Sequence, residues 1–337
     1  MDIYRFDLRA GDVFAAQITG VGKRVAIFDP AGVEVQGSAQ DFSFEYPAAS
    51  PLPHGGNAIA DHVAAVGGPH YLAVSETKGA YTLSIQVHAR QLDRAPQTIF
   101  LDFDGAKVDS GIFPLQDPGP RTLSPFNTFL GNWGLTPADE PAVIRQVVAT
   151  VRENLVTDVR TRSNNPASRV IVTSSLDTPD PFGQKNVSRV VVGGTTGELG
   201  ITTIGIAQSI DPGNFATEET AVVLQDFLSQ PAGVPFSLNT YLGPQSNRVA
   251  FIGRAIGNVV SHEASHFLGN WHTDPANSTV DLTDAGGAGY TGMFGTGPDG
   301  IGGTRDDTDT DLTTDAYRPS EEFTGFEDGL NRVAFGT

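Results

Sequence analysis

Apolar and polar positions alternate along short segments throughout the first 90 residues of the chain. In YTLSIQVH (81–88), every second side chain is apolar, which is the pattern of a strand with one buried and one exposed face. Similar segments, YRFDLRAGD, VFAAQITG and RVAIFDPAG, are bounded by Gly, Pro and Asp turns. This spacing predicts a small antiparallel β-sandwich over residues 1–90, followed by a polar, proline-containing linker over 91–97.

From residue 98 the hydrophobic pattern changes to strands mixed with two longer helices. Apolar residues recur at helical spacing in DEPAVIRQVVATVRENLV and again from about residue 247 to the end of SHEASH. The predicted strands are QTIFLDFDG, RVIVTSSL (169–176), RVVVGG (189–194), TTIGIAQSI (202–210) and TAVVLQDFL (220–228). This mixed order predicts an α+β fold, or an α/β fold with a mixed sheet, for residues 98–337.

The composition is that of a globular protein with a strong excess of acidic residues. The 337 residues include 39 Asp and Glu against 21 Lys and Arg, which gives a formal net charge of −18. This excess argues against nucleic-acid binding, because phosphate contacts need clustered Lys and Arg. No apolar run approaches the roughly 18 residues of a membrane span. The absence of cysteine excludes disulfides, thiolate metal sites and cysteine nucleophiles.

Three of the seven histidines lie within the eleven residues HEASHFLGNWH (262–272). His262 and His266 are four apart, so that on a helix both imidazoles project from one face. Gly269 stands where the helix should end, since glycine readily takes the left-handed conformation that turns a chain. This turn is expected to bring His272 back to the same metal, with Glu263 beside it but not bound to it. Three histidines with an open fourth position are typical of a catalytic zinc site.

Competing arrangements fit the sequence less well. A downstream glutamate as third ligand has no nearby candidate, because no Glu lies between Glu263 and Glu321. Asp274, Asp281 or Asp284 as third ligand would leave the spacing of the glycine and the third histidine as a coincidence. A helix whose histidines only satisfy hydrogen bonds would leave their clustering unexplained.

The stretch HEASHFLGNWH resembles the metzincin signature HExxHxxGxxH at all five defining positions. This resemblance implies a zinc peptidase in which His262, His266 and His272 hold Zn²⁺ and Glu263 is the general base. Metzincins also carry a methionine turn beneath the metal, and Met293 in GYTGMFG is the matching residue. They lay an extended substrate on a strand at the cleft edge, a role open to either TTIGIAQSI or TAVVLQDFL.

The function implied by this resemblance is that of a zinc-dependent endopeptidase acting on a protein or peptide substrate. Zinc with an open position lowers the pKa of a bound water towards 7 and polarises the scissile carbonyl. Glu263 would take the proton of that water and deliver it to the departing amine. Two alternatives remain open: a zinc amidase acting on other amide bonds, such as those of cell walls, and a binding or adhesion protein with a vestigial zinc site.

The first 90 residues resemble the bacterial pre-peptidase C-terminal domain, a small sandwich found beside secreted peptidases. The resemblance is carried by YRFDLRAGD, the FDPAG turn and YLAVSETKGAYTLSIQV. That domain usually follows its peptidase, whereas here it precedes the peptidase-like part, and no partner for it is indicated. Both resemblances imply a secreted bacterial protein. Because MDIYRFDLRAGD lacks the regions of a signal peptide, we expect that a signal was removed and a methionine added.

The stretch GPDGIGGTRDDTDTDLTTD (297–315) gathers aspartates among small residues. Asp299, Asp306, Asp307, Asp309 and Asp311 would repel one another, so that a Ca²⁺ ion bound by their carboxylates would order the loop. Their spacing differs from that of an EF-hand. A solvated acidic loop without a cation fits the pattern equally well.

Overall fold

The computed structural model describes residues 1–75, 78–91, 95–115, 117–284 and 290–336. Over these ranges the protein combines α-helices with several β-sheets, and its first 88 residues hold only strands and one short 3-10 turn. The predicted α+β class and the all-β character of the N-terminal region are therefore confirmed. No helix in the described part of the chain has both the length and the apolar character needed to span a bilayer.

Seven antiparallel strands make up the N-terminal region. They are β1 (Asp2–Leu8), β2 (Val13–Gly20), β3 (Arg24–Phe28), β4 (Glu34–Ser38), β5 (Ala58–Val63), β6 (Gly68–Ser75) and β7 (Tyr81–His88). One sheet has the order β1-β6-β3-β4 and the other the order β5-β2-β7. Alternate side chains, among them Phe14, Ile18, Val25 and Leu72, form a buried cluster of this region. The period-two pattern read from the sequence thus produces the inward face of each sheet.

A mixed sheet forms the centre of the second region. Its strands are β8 (Gln97–Asp102), β11 (Val170–Ser174), β12 (Val187–Val192), β13 (Gly205–Ala207) and β14 (Thr220–Val223), while β9 (Lys107–Asp109) and β10 (Pro120–Thr122) form a separate pair. The order is β11-β8-β12-β14-β13, with β13 antiparallel to β14 at one edge and the other pairs parallel. Gln97, assigned to the linker from the sequence, is the first residue of β8. Residues 92–94 of that predicted linker lie outside the described residues.

The helices of the second region are α1 (Glu140–Arg152), α2 (Asp158–Arg162), α3 (Thr196–Leu199), α4 (Gln225–Leu228), α5 (Arg248–His266), α6 (Tyr290–Phe294) and α7 (Gly329–Phe335), with a π-helical turn at Glu153–Thr157. The longest of them, α5, packs against α1 and α6. Short 3-10 turns occupy Ser43–Glu45, Ser110–Ile112, Phe126–Trp133, Leu238–Tyr241 and Pro319–Glu321. Helix α1 lies close against α5, where a Cβ atom at Gly257 would come within 2.6 Å of Thr150 Cβ. Small residues on α5 therefore permit the two helices to approach closely.

The end of the chain returns to the N-terminal region. It contains β15 (Thr314–Ala316), β16 (Phe323–Thr324) and β17 (Phe326–Asp328). β15 pairs with β17, and β16 pairs with β4, so that Phe323 stands opposite Ser38. Tyr46 and Ile59 of the N-terminal region also share one buried cluster with Trp271 of the second region. The two regions predicted as separate domains thus share a hydrophobic core, and the division at residue 90 stays a prediction.

Candidate metal centre and its cleft

The three histidines predicted as ligands converge in the structure. His262 and His266 lie one turn apart at the end of α5. Gly269 follows with a φ of 99°, the left-handed conformation that a side chain disfavours, and the chain turns back. The ring of His272 then lies 5.3 Å from that of His262 and 4.9 Å from that of His266, measured between centroids. One nitrogen from each ring lies within 4.8 Å of the other two.

Hydrogen bonds fix the orientation of all three rings. Each Nδ1 atom lies next to an oxygen: Leu282 O for His262 at 2.6 Å, Asn270 O for His266 at 2.7 Å and Glu321 Oε1 for His272 at 2.7 Å. An Nδ1–H that donates to such an oxygen leaves the Nε2 of a neutral imidazole with a free lone pair. The three Nε2 atoms are therefore the nitrogens available to a metal. This pairing of ligand nitrogen with an outer oxygen is the usual support of metal-binding histidines.

Burial keeps the imidazoles of His262 and His266 neutral. Desolvation lowers the pKa of His262 to about 3, with a further lowering from His272. It also lowers the pKa of His266 well below its ordinary value, and the other two rings add to this effect. Neutral imidazole is the form that binds a metal ion.

Glu263 lies beside the histidines and is only 5% exposed. Burial raises the pKa of its carboxyl to about 8. The backbone of β13 approaches it so closely that a Cβ atom at Gly205 would collide with its carboxylate, at 2.7 Å from Cδ. Glycine at position 205 thus leaves room for the Glu263 side chain in the cleft.

The histidines and Glu263 line a cleft of about 620 Å³. One wall is the segment 202–210, which contains the edge strand β13. Of the two segments considered for the cleft edge, TTIGIAQSI therefore occupies it, whereas β14 lies inside the sheet. Much of the remaining lining is apolar, including Phe227, Phe236, Val259, Tyr290 and Phe294. The cleft thus combines a polar centre with an apolar surround.

Met293 lies in α6 rather than in an irregular turn, and its side chain lines the same cleft. Its carbonyl accepts a hydrogen bond from Asn258 Nδ2 at 2.8 Å. Asn258 lies on α5, one turn before His262, and it is fully buried. The structure thus brings Met293 to the histidine site, and its role as the methionine of a metzincin turn stays a prediction.

Three residues of the site escaped the sequence analysis. Glu321 was considered only as too remote to be a zinc ligand, yet it accepts the hydrogen bond of His272. Gly205 and Asn258 were not singled out at all. Their importance depends on the approach of distant segments, which leaves no spacing pattern around them in the sequence. The contacts of Asn258 with the Met293 carbonyl and of Gly205 with the Glu263 carboxylate form only through tertiary packing.

The three aspartates weighed against His272 have other partners. Asp274 accepts a hydrogen bond from Ala276 N at 3.0 Å. Asp281 accepts hydrogen bonds from Thr283 and from Thr313, each at 2.7 Å from the hydroxyl. Asp284 accepts one from the hydroxyl of Thr273 at 2.9 Å, and burial raises its pKa to about 7. Among the residues that the structure describes, none of the three belongs to the histidine group.

The five aspartates predicted to bind calcium do not form one cluster. Asp307 pairs with Arg254 and accepts a hydrogen bond from Gly303 N at 2.8 Å. Asp306 accepts one from Thr304 Oγ1 at 2.6 Å and another from Asp299 N at 3.1 Å. A guanidinium and local donors therefore compensate the charge that we expected a cation to neutralise.

Asp309 and Asp311 lie instead beside Glu153, with one oxygen from each within 4.8 Å of the others. Glu153 belongs to the π-helical turn after α1 and was not identified from the sequence. Asp311 also pairs with Arg162 at 2.5 Å. The aspartates of the loop thus fall into two groups with different neighbours. Calcium binding stays a prediction.

Comparison with known proteins gave no match to a family model, a curated protein or a solved structure. The case for a function therefore depends on the residues of the cleft. Within the cleft, the three histidines and Glu263 are the residues whose arrangement suits a chemical reaction.

Proposed function

We propose that the protein is a secreted zinc-dependent endopeptidase of the metzincin type. The observation that carries this proposal is the convergence of three imidazoles, two of them buried, whose Nδ1 atoms all have an oxygen partner. Three Nε2 ligands suit Zn²⁺, and a set of three leaves a position open for substrate or water. A structural zinc site would instead use a fourth protein ligand.

Glu263 is the proposed general base and acid. When bound, zinc supplies Lewis-acid polarisation of the scissile carbonyl and activation of the attacking water. The positive charge of a bound zinc would favour the ionised form of the buried Glu263 carboxyl. The carboxylate would then take the proton of this water and return it to the departing amine. Glu321 acts through His272, because its hydrogen bond to Nδ1 fixes the tautomer and the direction of Nε2.

The edge of the mixed sheet supports a peptide rather than a small amide as substrate. β13 pairs with β14 on one side only and lines the cleft with its flanking residues. An extended peptide can add to such an edge as a further strand, which aligns its backbone with the catalytic groups. The apolar lining, with Phe227, Phe236 and Tyr290, suits a large side chain of that peptide.

Metal analysis together with the Glu263→Gln variant tests the proposal. We expect about one zinc per chain in both proteins. Hydrolysis of a denatured protein substrate should fall by about 10²–10⁴-fold in the variant, because the proton transfer is lost. The exposed Glu218 provides the matched control, Glu218→Gln, which should retain the wild-type rate.

Three outcomes would contradict the proposal. Undiminished hydrolysis by Glu263→Gln would show that Glu263 is not the general base. Hydrolysis of cell-wall amides without hydrolysis of protein would favour the zinc amidase. Zinc binding with no hydrolysis of either substrate would favour a binding protein.

A further inference from the structure

Glu45 is a residue of the N-terminal region that lines the cleft. It ends the 3-10 turn Ser43–Glu45, between β4 and β5. Its carbonyl accepts a hydrogen bond from Ile210 N at 2.8 Å, and Ile210 belongs to the cleft wall that contains β13. The backbone of the turn is therefore attached directly to the proposed substrate-binding wall.

Aromatic packing holds the same turn from the other side. Phe42 lies 6.1 Å from Trp271, the residue before His272, and 4.5 Å from Phe323, both measured between ring centroids. Phe42 also lines the cleft. The position of Glu45 relative to the third histidine is thus set by contacts on both sides of the turn.

Glu45 lines the same cleft as His272 and Glu321. Glu321 has its own partners, since it accepts from His272 Nδ1 at 2.7 Å and lies 3.6 Å from Arg318 Nη1. For Glu45, the described part of the chain offers no side-chain hydrogen bond or ion pair. This carboxyl group is partly buried, so that it has lost part of its hydration and a cation placed against it would be favourable.

The charges of the cleft favour a cation as well. Its lining includes the carboxyl groups of Glu45, Glu263, Asp284 and Glu321 but only one guanidinium, that of Arg318, among the described residues. Arg318 is already paired with Glu321. The whole chain carries a net charge of −18, which attracts positively charged ligands over a longer range.

We infer that Glu45 determines specificity by binding an ammonium or guanidinium group of the substrate. The substrates would then be peptides with Lys or Arg close to the scissile bond. This inference rests on the proposed endopeptidase function and deepens it by naming the substrate class. It also gives the N-terminal region a part in catalysis, since that region supplies the residue which selects the substrate.

Matched peptides that differ at one position, Lys or norleucine, test the inference. Both have acetylated N-termini, so that the lysine side chain is the only cation. The wild-type protein should have the higher kcat/KM for the Lys peptide, and Glu45→Gln should reduce the ratio of the two values about tenfold. Glu45→Lys should reverse the preference towards a Glu peptide. Glu218→Gln, an exposed glutamate outside the cleft, should keep the wild-type ratio.

Binding to the zinc-loaded Glu263→Gln variant separates this inference from the proposed function. Fluorescence anisotropy of labelled peptides measures recognition without turnover. Tighter binding of the Lys peptide supports the role of Glu45, even if the wild-type protein hydrolyses nothing and the peptidase proposal fails. Equal binding of both peptides, together with equal hydrolysis, would overturn the inference while leaving the peptidase intact.

A second pair of peptides identifies the source of the cation. These peptides contain no basic side chain and differ only in a free or an acetylated N-terminus. A preference for the free amine that Glu45→Gln removes would still support cation binding by Glu45, with the N-terminal amine as the group bound. The absence of any preference for either source would contradict the inference.

Discussion

The histidine cluster and a buried ion cluster meet at the turn after α5. The residues of the first are close together in the sequence, whereas those of the second are far apart. The three histidines fall within eleven residues. The ion cluster joins Asp61 of β5, Glu327 of β17 and Arg332 of α7, and Arg332 lies 271 positions from Asp61. Asp61 accepts a hydrogen bond from Trp271 Nε1 at 3.0 Å, and Arg332 donates to Gly269 O at 3.2 Å.

The two clusters also differ in how they tolerate burial. His262 and His266 lose their charge, because desolvation lowers the pKa of both. In the ion cluster opposite charges lie together instead: Asp61 and Arg332 pair directly, with side chains 1% and 4% exposed, and Arg332 lowers the pKa of Glu327, which desolvation raises to about 7. Charges buried to this extent are tolerated only when they are paired. Residues from the first and last parts of the chain therefore stabilise the turn before the third histidine. The metal site thus depends on residues that are far from its sequence motif.

Arg332→Met breaks the ion cluster and should have the largest effect. It leaves Asp61 and Glu327 buried without their cation, which costs about 3–5 kcal/mol of unfolding free energy. Urea denaturation of the metal-free protein measures the loss. Arg5→Met removes an exposed pair, Arg5 with Asp7, and should cost less than about 1 kcal/mol. If both variants lost equally little, the ion cluster would not be what holds the turn.

Glu321→Gln tests the support of the metal site rather than the ion cluster. The variant weakens the hydrogen bond to His272 Nδ1, so that the zinc dissociation constant should rise about 10–100-fold. Competition with a chelator measures this constant. The unfolding free energy of the metal-free protein should change by less than about 1 kcal/mol, since the Glu321 side chain is partly exposed. Glu322→Gln, at the adjacent exposed residue, is the control. Wild-type zinc affinity in Glu321→Gln would refute the supporting role.

The same contrast explains what the sequence could predict. The spacing of His262 and His266, the turn at Gly269 and the alternation in β7 are consequences of local backbone geometry, so they can be recognised in a short window. Glu321 and Arg332 act through contacts made only after distant segments have packed. No local pattern marks them, because an isolated Glu or Arg reads as a surface residue.

The acidic loop shows what a local pattern leaves open. Its composition fitted a calcium site and a solvated acidic loop equally well, since closely spaced aspartates repel one another. In the structure Arg254 pairs with Asp307, whereas Glu153 joins Asp309 and Asp311. Both Arg254 and Glu153 lie far from the loop in sequence. Charge balance is therefore settled by tertiary neighbours, which composition alone does not reveal.

His62, beside the ion cluster, is expected to give the smallest effect. Burial lowers its pKa well below the ordinary value of 6.5, and Arg332 and His70 lower it further. The folded protein thus keeps this ring neutral, while the unfolded chain binds a proton below about pH 6.5. Stability should fall with decreasing pH, by at most about 1.4 kcal/mol per pH unit from this group.

His62→Gln removes this contribution, so that the metal-free variant should lose less stability than the wild type between pH 7.5 and pH 5.5. Urea midpoints at the two pH values give the comparison. His54→Gln, at an exposed histidine of the same region, is the control variant. If His62→Gln kept the wild-type dependence of stability on pH, protonation of His62 in the wild-type protein would not oppose folding. The positive charge of Arg332 would then be screened from His62 by its two carboxylate partners, and the ion cluster would act on the turn alone.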